Sequence, residues 1–123
     1  MGDMTPTGPV SARDLQGRAE VAASLLKIMA NDRRLIVLCE LAGVGERSVT
    51  ELESVSGLSQ SALSQHLAKM RQHGIVKTRR AAQTIYYSLA SREARVLIEV
   101  LCRLYLPHTE PVPDAEPEGA VAG

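Results

Sequence analysis

The chain has 123 residues, enough for one small domain, and its formal net charge of zero excludes a uniformly basic protein. It contains no Phe and no Trp, which argues against stacking of unpaired bases on aromatic side chains. No stretch reaches the ~18 apolar residues of a membrane span, and the amino terminus lacks the pattern of a secretory signal. We therefore expect a cytoplasmic protein with no membrane partner, in which Cys39 and Cys102 are thiols by default.

The two ends of the chain differ from the middle in composition. Residues 1–11 and 107–123 are rich in Pro, Gly and acids and poor in apolar residues, which predicts disordered tails. One folded domain is then expected at residues 12–106. Because a domain of this size can hide only a modest share of its own surface, pairing with a second copy would improve its burial.

Apolar spacing predicts two helices in the first third of the chain. The segment LQGRAEVAASLLKIMA, residues 15–30, has an apolar stripe at helical spacing, formed by Leu15, Ala19, Ala22, Leu26 and Met29. A second helix, RRLIVLCELAG, follows Asp32, which is a candidate amino-terminal cap. Its predicted buried stripe consists of Leu35, Leu38, Cys39 and Ala42.

The next two helices have clear boundary signals. Ser48 and Glu51 show the Ser-x-x-Glu spacing of a capping box, which predicts a short third helix. Gly57 allows a tight turn, Ser59 can cap a fourth helix, and Gly74 is placed to end it. Two helices joined by a short turn that contains glycine predict a helix-turn-helix.

A hairpin and a final helix complete the predicted fold. The segment IVKTRRAAQTIYYSL, residues 75–89, has β-branched and aromatic flanks around a polar middle, which predicts a hairpin, or wing, with its loop near residues 81–84. The last helix, residues 91–106, has two adjacent apolar stripes, Ala94, Leu97, Leu101 and Leu104 on one and Ile98, Cys102 and Tyr105 on the other. A helix with so much apolar surface packs on two partners. The predicted fold class is mainly α with a small β-hairpin, a winged helix-turn-helix of five helices.

Charge is distributed unevenly along this chain of zero net charge. Residues 54–91 contain five Lys and Arg residues and neither Asp nor Glu, whereas the rest has nine cations and fourteen carboxylates. Such asymmetry can present a basic face to nucleic acid. In the fourth helix, inward Leu63, Leu67 and Met70 leave an outer side formed by Gln60, Ser61, Ser64, Gln65 and Lys69. Ser and Gln match the mixed donors and acceptors of the major groove, so we predict that this side contacts base edges in the major groove of double-stranded DNA.

The wing supplies further candidate DNA contacts. Arg79 and Arg80 suit phosphates or the adjacent minor groove, and Gln83 lies in the predicted loop between the strands. The alternative is that these cations are simply solvated. For His66 we favour a structural hydrogen bond over base readout.

At this point the sequence resembles a known family. The order of elements, with LSQSALSQHLAKMRQHGIV and TRRAAQTIYYSL, is similar to the ArsR family of bacterial winged helix-turn-helix repressors over residues 18–106. The resemblance implies a homodimer joined through the first and last helices. It also implies binding to two operator half-sites and release of the DNA by a ligand or chemical signal.

The expected signal is not a metal. Metal-sensing members carry a Cys-x-Cys-type pair before the recognition helix, whereas the matching stretch here, SVTELESVS, has no cysteine. The last helix and its end offer only Glu93, Glu99 and His108, without a convincing pairing of ligands. The sequence also lacks a Ser, His and Asp grouping and a Gly-rich phosphate loop, so we predict no metal, no cofactor and no enzyme activity.

The two cysteines give the sharper hypothesis. Cys39 in IVLCEL and Cys102 in EVLCRLY resemble the sulfide- and persulfide-responsive branch of the family, in which one cysteine on the second helix and one on the last become bridged. The resemblance implies reactive sulfur species as the inducer. The alternatives are that both cysteines are small buried hydrophobes in a repressor with another signal or none, that the protein is a metal sensor, and that the scaffold binds proteins rather than DNA. The sequence leaves open whether their Cα atoms lie within the ~7 Å that a disulfide needs.

Overall fold

The structure is a computed structural model that describes residues 10–105. These residues form, in chain order, α1 (Ala12–Leu15), α2 (Ala19–Met29), α3 (Asp32–Val44), β1 (Arg47–Ser48), α4 (Val49–Ser56), α5 (Gln60–Gln72), β2 (Val76–Ala81), β3 (Thr84–Leu89) and α6 (Arg92–Tyr105). The predicted fold class, mainly α with a hairpin between the fourth predicted helix, which is α5, and the last helix, α6, is confirmed. Apart from residues 10 and 11, the predicted tails lie outside the described residues. Within residues 10–105, no helix is long and apolar enough to span a bilayer.

The helix predicted over residues 15–30 is present, but it begins later than predicted, at Ala19. Gly17 has a φ of 87°, a conformation that favours glycine, and it separates the short α1 from α2. The predicted apolar stripe is also displaced. Ile28 and Met29 are buried in the core, whereas Leu15 and Leu26 are more than half exposed. The helix therefore begins later, and Leu15 and Leu26 remain on the surface of this chain.

The residue that caps α3 is Asn31, not Asp32 as predicted. The side-chain oxygen of Asn31 accepts hydrogen bonds from the backbone N–H groups of Arg33, at 3.0 Å, and Arg34, at 3.1 Å. Asp32 is the first residue of the helix, where its carboxylate is favoured by the helix dipole. Asn and Asp are both favoured as amino-terminal caps, and in this structure the asparagine occupies the cap position.

Helix α3 lies at the centre of the core. It contacts α4, α6 and β3, and its fully buried residues are Val37, Leu38 and Leu41. The predicted stripe is therefore only partly correct, because its other members, Leu35, Cys39 and Ala42, pack at the edge of the core. A helix with neighbours on several sides buries a wider face than one stripe.

The helix-turn-helix boundaries follow the predicted signals. The Ser48 Oγ accepts from the Glu51 N–H at 3.2 Å, and the Glu51 carboxylate accepts from the Ser48 N–H at 2.9 Å. Gly57 adopts a left-handed conformation with a φ of 73° at the turn. The Ser59 Oγ accepts from the Ala62 N–H at 3.2 Å, which caps α5. Gly74, also with a φ of 73°, follows the end of α5.

The wing is a hairpin with one additional strand. β2 and β3 are antiparallel, and Ala81 pairs with Thr84 across a turn at residues 82 and 83, as predicted. The two-residue β1 pairs with β3 on its other side through Arg47 and Tyr87, which gives the sheet order β1-β3-β2. The sequence did not predict β1 because two residues are too few to display strand alternation.

Candidate DNA-binding surface and thiol pair

Helix α5 separates apolar and polar residues onto opposite sides. Leu63, Leu67 and Met70 are buried, as the sequence predicted. The predicted reading side is exposed over all of its members, Gln60, Ser61, Ser64, Gln65 and Lys69. An exposed row of hydroxyl and amide groups without carboxylates is chemically suited to base edges and phosphates. Contact of these residues with DNA stays a prediction.

His66 lies between the two sides of α5 and is half-buried. The Arg34 Nε donates a hydrogen bond to the His66 Nδ1 at 2.9 Å, in agreement with the structural hydrogen bond favoured from the sequence. Burial, and then the charge of Arg34, hold the pKa of His66 below its ordinary value, against the smaller opposing effect of Asp32. The imidazole is therefore stabilised in its neutral form.

The predicted wing residues Arg79, Arg80 and Gln83 are all exposed, but Arg79 is already engaged within the protein. Its Nε and Nη2 donate to the two carboxylate oxygens of Glu46 at 2.8 and 2.9 Å, and its guanidinium carbon lies 4.8 Å from the centre of the Tyr86 ring. The hydrogen bond from Arg79 holds the pKa of Glu46 below its ordinary value. Arg79 can therefore bind a phosphate only if it releases the Glu46 carboxylate or contacts the carboxylate and the phosphate together.

A second ion pair anchors β1, the strand that carries Arg47. The Arg47 Nε donates to the Glu40 carboxylate at 2.7 Å, and Arg47 lies 3.7 Å from the Glu51 carboxylate. The hydrogen bond to Glu40 raises the pKa of Arg47, while the Ser48 N–H is the main cause that lowers the pKa of Glu51. Sequence reasoning missed Glu46 and Glu40 because no pattern in one sequence indicates which distant opposite charges will meet.

The two cysteines meet where α3 packs on α6. The Sγ atoms of Cys39 and Cys102 are bonded as a disulfide, with the Cα atoms 6.5 Å apart. This separation lies within the range for a direct disulfide, which the sequence alone could not establish. Both cysteines are half-buried. An apolar recess of about 190 Å³ adjoins them, lined also by Leu35, Ile36, Ile98 and Leu101.

Other candidate chemistry is sparse in the part of the chain that the structure describes. Residues 10–105 contain no cluster of three or more His, Cys, Asp or Glu side chains that could hold a metal ion. Glu99, one of the weak candidates from the sequence, lies 3.8 Å from Arg95 as an ion pair. His108 lies outside the described residues.

An apolar surface runs along the side of the molecule formed by α2 and α6. Its most exposed members on α6 are Leu104, at 68%, and Tyr105, at 81%, and on α2 they are Val21, at 62%, and Leu26, at 53%. A groove of about 580 Å³ opens between these helices near Leu25, Ile75 and Leu97. This much apolar surface on one side of a small domain is typical of an interaction site.

The order of helices and strands defines the class of protein as a winged helix-turn-helix domain. The family model described as the bacterial regulatory protein arsR family matches residues 31–78. The chain is 50% identical over 97 residues to the transcriptional activator HlyU of Vibrio cholerae, covering 79% of this chain and 89% of that protein. The chain belongs to the ArsR family of bacterial regulatory proteins.

Solved structures agree with this assignment. Reduced HlyU from Vibrio cholerae N16961 has a TM-score of 0.72 at 50% identity, covering 77% of this chain and 99% of that one. The transcriptional repressor BigR from Xylella fastidiosa has a TM-score of 0.73 at 37% identity, covering 80% and 100%. Since its relatives are transcriptional regulators, the chain is a regulator and not an enzyme, as the sequence predicted.

Proposed function

We propose that this regulator is a homodimeric repressor that binds operator DNA while Cys39 and Cys102 are reduced, and that reactive sulfur releases it by bridging the two cysteines. The observation that carries the proposal is the 6.5 Å separation of their Cα atoms across the α3–α6 contact. Binding to chromosomal DNA would place the protein in the cytoplasm.

The DNA-binding step uses α5 and the wing. The exposed polar side of α5 enters the major groove with its amino-terminal residues at the base edges, as in other helix-turn-helix proteins. Arg80, Gln83 and Lys69 lie on exposed parts of the wing and of α5, where phosphate contacts are accessible. The lack of carboxylates from residue 54 to residue 91 supports this face as the one that approaches DNA.

The dimer is supported by the exposed apolar residues of α2 and α6. Leaving side chains such as Leu104 and Tyr105 in water is unfavourable, and a second copy of the same surface would cover them. A dimer with two-fold symmetry also presents two copies of α5 to two half-sites of one operator. Changes that move α6 would then alter how the two copies of α5 are spaced.

The sulfur chemistry is a two-step exchange. One cysteine thiolate attacks the terminal sulfur of an organic persulfide, takes that sulfur, and releases the organic thiol. The second thiolate attacks the Sγ of the resulting cysteine persulfide, and hydrosulfide leaves as the disulfide forms. Two thiols are oxidised by two electrons in total, and the persulfide is reduced to one thiol and one hydrogen sulfide.

A second candidate function is a repressor whose cysteines serve only in packing. The apolar recess that adjoins Cys39 and Cys102 favours it, because reduced cysteines in apolar surroundings pack as small hydrophobic residues. In that case another inducer, or none, would control binding to DNA. Both candidates share the same DNA-binding surface and differ only in the response to sulfur.

The deciding experiment is a DNA-binding titration against the protein's own upstream region, reduced and after treatment with an organic persulfide, with intact mass measured on the same samples. A loss of affinity together with a mass that reports a Cys39–Cys102 bridge supports the sulfur switch. Each tenfold loss corresponds to about 1.4 kcal/mol of coupling. The Cys39→Ser and Cys102→Ser variants should still bind DNA, and treatment with the persulfide should not release it. If reduced protein binds and persulfide changes neither mass nor affinity, the packing alternative is correct.

A further inference from the structure

Arg34 joins three helices through one side chain. It lies in the first turn of α3, and its Nη1 donates to the backbone carbonyl of Ile28 at 2.8 Å. Its Nε donates to the Nδ1 of His66, in the middle of α5, at 2.9 Å. Ile28 belongs to the last turn of α2, where carbonyls lack partners within their own helix. The guanidinium therefore fastens the end of α2 and the recognition helix to the start of α3.

Apolar packing holds α5 against the core but is less directional than a hydrogen bond. The residues that hold its inner side there are Leu63, Leu67 and Met70. A rotation of α5 by roughly 20° would move a side-chain tip ~6 Å from the helix axis by about 2 Å. A hydrogen bond to His66, which directly follows Gln65 in the helix, resists such a rotation because its strength depends on angle.

The hydrogen bond also fixes the tautomer of His66. The guanidinium of Arg34 has only donors, so the Nδ1 of His66 must be the acceptor and its ring proton must lie on Nε2. A neutral imidazole of this tautomer is the one form that completes the contact. His66 is thus a positioning group rather than a cation held ready for a phosphate.

We infer that Arg34, acting through His66, sets the rotation of the recognition helix and so determines how strongly the regulator prefers its operator over other DNA. The inference rests on the proposed DNA-binding function and adds to it a residue that lies on α3 rather than on the predicted reading side of α5. Arg34 and His66 position Gln65 and Ser64, and those two residues read the bases.

The test compares the affinity for the upstream operator with that for a scrambled duplex of equal length, at one salt concentration, for four variants of the full chain. His66→Ala and Arg34→Lys remove the paired geometry, because alanine has no acceptor and lysine cannot supply two fixed donors. His66→Asn keeps an acceptor oxygen close to the position of Nδ1. His73→Ala is the matched control, because the Nδ1 of His73 lies 3.0 Å from the Lys69 carbonyl and its ring is not bonded to Arg34.

We expect His66→Ala and Arg34→Lys to lower operator affinity about tenfold and to leave scrambled-duplex affinity within about twofold, as for the loss of one specific base contact. His66→Asn should recover most of the loss, and His73→Ala should match the wild type. Thermal unfolding of each variant tests whether it is folded. If Arg34→Lys is unfolded, the comparison of His66→Asn with His66→Ala decides whether the inference holds.

Three results would overturn the inference. One is unchanged operator preference in His66→Ala. Another is a His66→Asn variant as weak as His66→Ala. The third is a nitrogen NMR spectrum of the wild type that places the ring proton of His66 on Nδ1. If the wild type binds the operator no more tightly than the scrambled duplex, the proposed function itself is wrong. If the wild type prefers the operator and the variants keep that preference, only the role of Arg34 and His66 is wrong.

Discussion

Arg79 on the wing and Glu46 in the loop after α3 form an ion pair closed by two hydrogen bonds, at 2.8 and 2.9 Å. Arg79, which the sequence predicts to contact DNA, is thus paired with a carboxylate on the same surface. Arg79 is 56% exposed, so solvent screens this pair and its contribution to stability is small. Its larger effect concerns DNA, because Glu46 repels phosphates and competes with them for Arg79.

Replacing Glu46 with Gln should strengthen DNA binding. The change removes one negative charge and releases Arg79, so operator affinity at low salt should rise about threefold and the slope of log affinity against log salt should steepen by about one. A salt titration of binding measures both. Thr50→Ala, an exposed change on nearby α4 that alters no charge, is the control. Weaker binding by Glu46→Gln would instead mean that Glu46 is needed to hold the wing in place.

Replacing Gln65 with Ala should weaken binding to the operator selectively. Loss of a base contact costs about 1–3 kcal/mol, so operator affinity should fall about fivefold or more while affinity for a scrambled duplex changes little. Gln72→Ala removes the same kind of amide from the carboxy-terminal end of α5 and should have no such effect. Equal losses on both duplexes would remove Gln65 from base readout.

Formation of the Cys39–Cys102 bridge should stabilise the fold. It joins residues 63 positions apart, and restricting a loop of that length in the unfolded chain contributes up to about 4 kcal/mol. Thermal unfolding of wild-type protein should therefore occur at a higher temperature when bridged than when reduced. Cys102→Ser should unfold at the same temperature under both conditions. Equal temperatures for the two wild-type samples would contradict the prediction.

Replacing Leu104 with Glu should dissociate the proposed dimer. The side chain is 68% exposed on the apolar surface of α6, and burying a charge there in two symmetric copies is unfavourable. Sedimentation velocity should show monomers of about half the wild-type mass. Val55→Glu places the same charge at an exposed valine on α4 and should leave the mass unchanged. A Leu104→Glu protein of wild-type mass would mean that the subunits join elsewhere.

Acidification should destabilise the protein through His66. Its pKa is lowered in the folded state, mainly by burial and then by Arg34, whereas in the unfolded chain it returns to its ordinary value of 6.5. The unfolded chain therefore binds more protons between the two pKa values, so this stabilising contribution is complete above pH 6.5 and is lost as pH falls through the lowered pKa. Thermal unfolding between pH 7.5 and pH 5.5 should show a smaller decline for His66→Asn than for the wild type. Identical declines would argue against this assignment.

Local signals in the sequence were sufficient for most boundaries of the fold. The capping box at Ser48 and Glu51, the turn at Gly57 and the end of α5 at Gly74 involve residues close together in the chain, so spacing alone predicted them. The helix predicted over residues 15–30 begins at Ala19 instead, because periodicity does not detect a break at one glycine. The cap of α3 differed by one residue because Asn31 and Asp32 are both good candidates.

For the candidate site, the sequence by itself determined which side of α5 is polar and which part of the chain lacks acids, since helical periodicity and composition are local properties. Only the tertiary structure decided that Cys39 meets Cys102, that Glu46 holds Arg79, and that Arg34 reaches His66. These partners are between 32 and 63 residues apart. Contacts over such separations depend on how whole helices and strands pack, because each element brings its side chains to a partner only after the shared core has fixed its position and rotation.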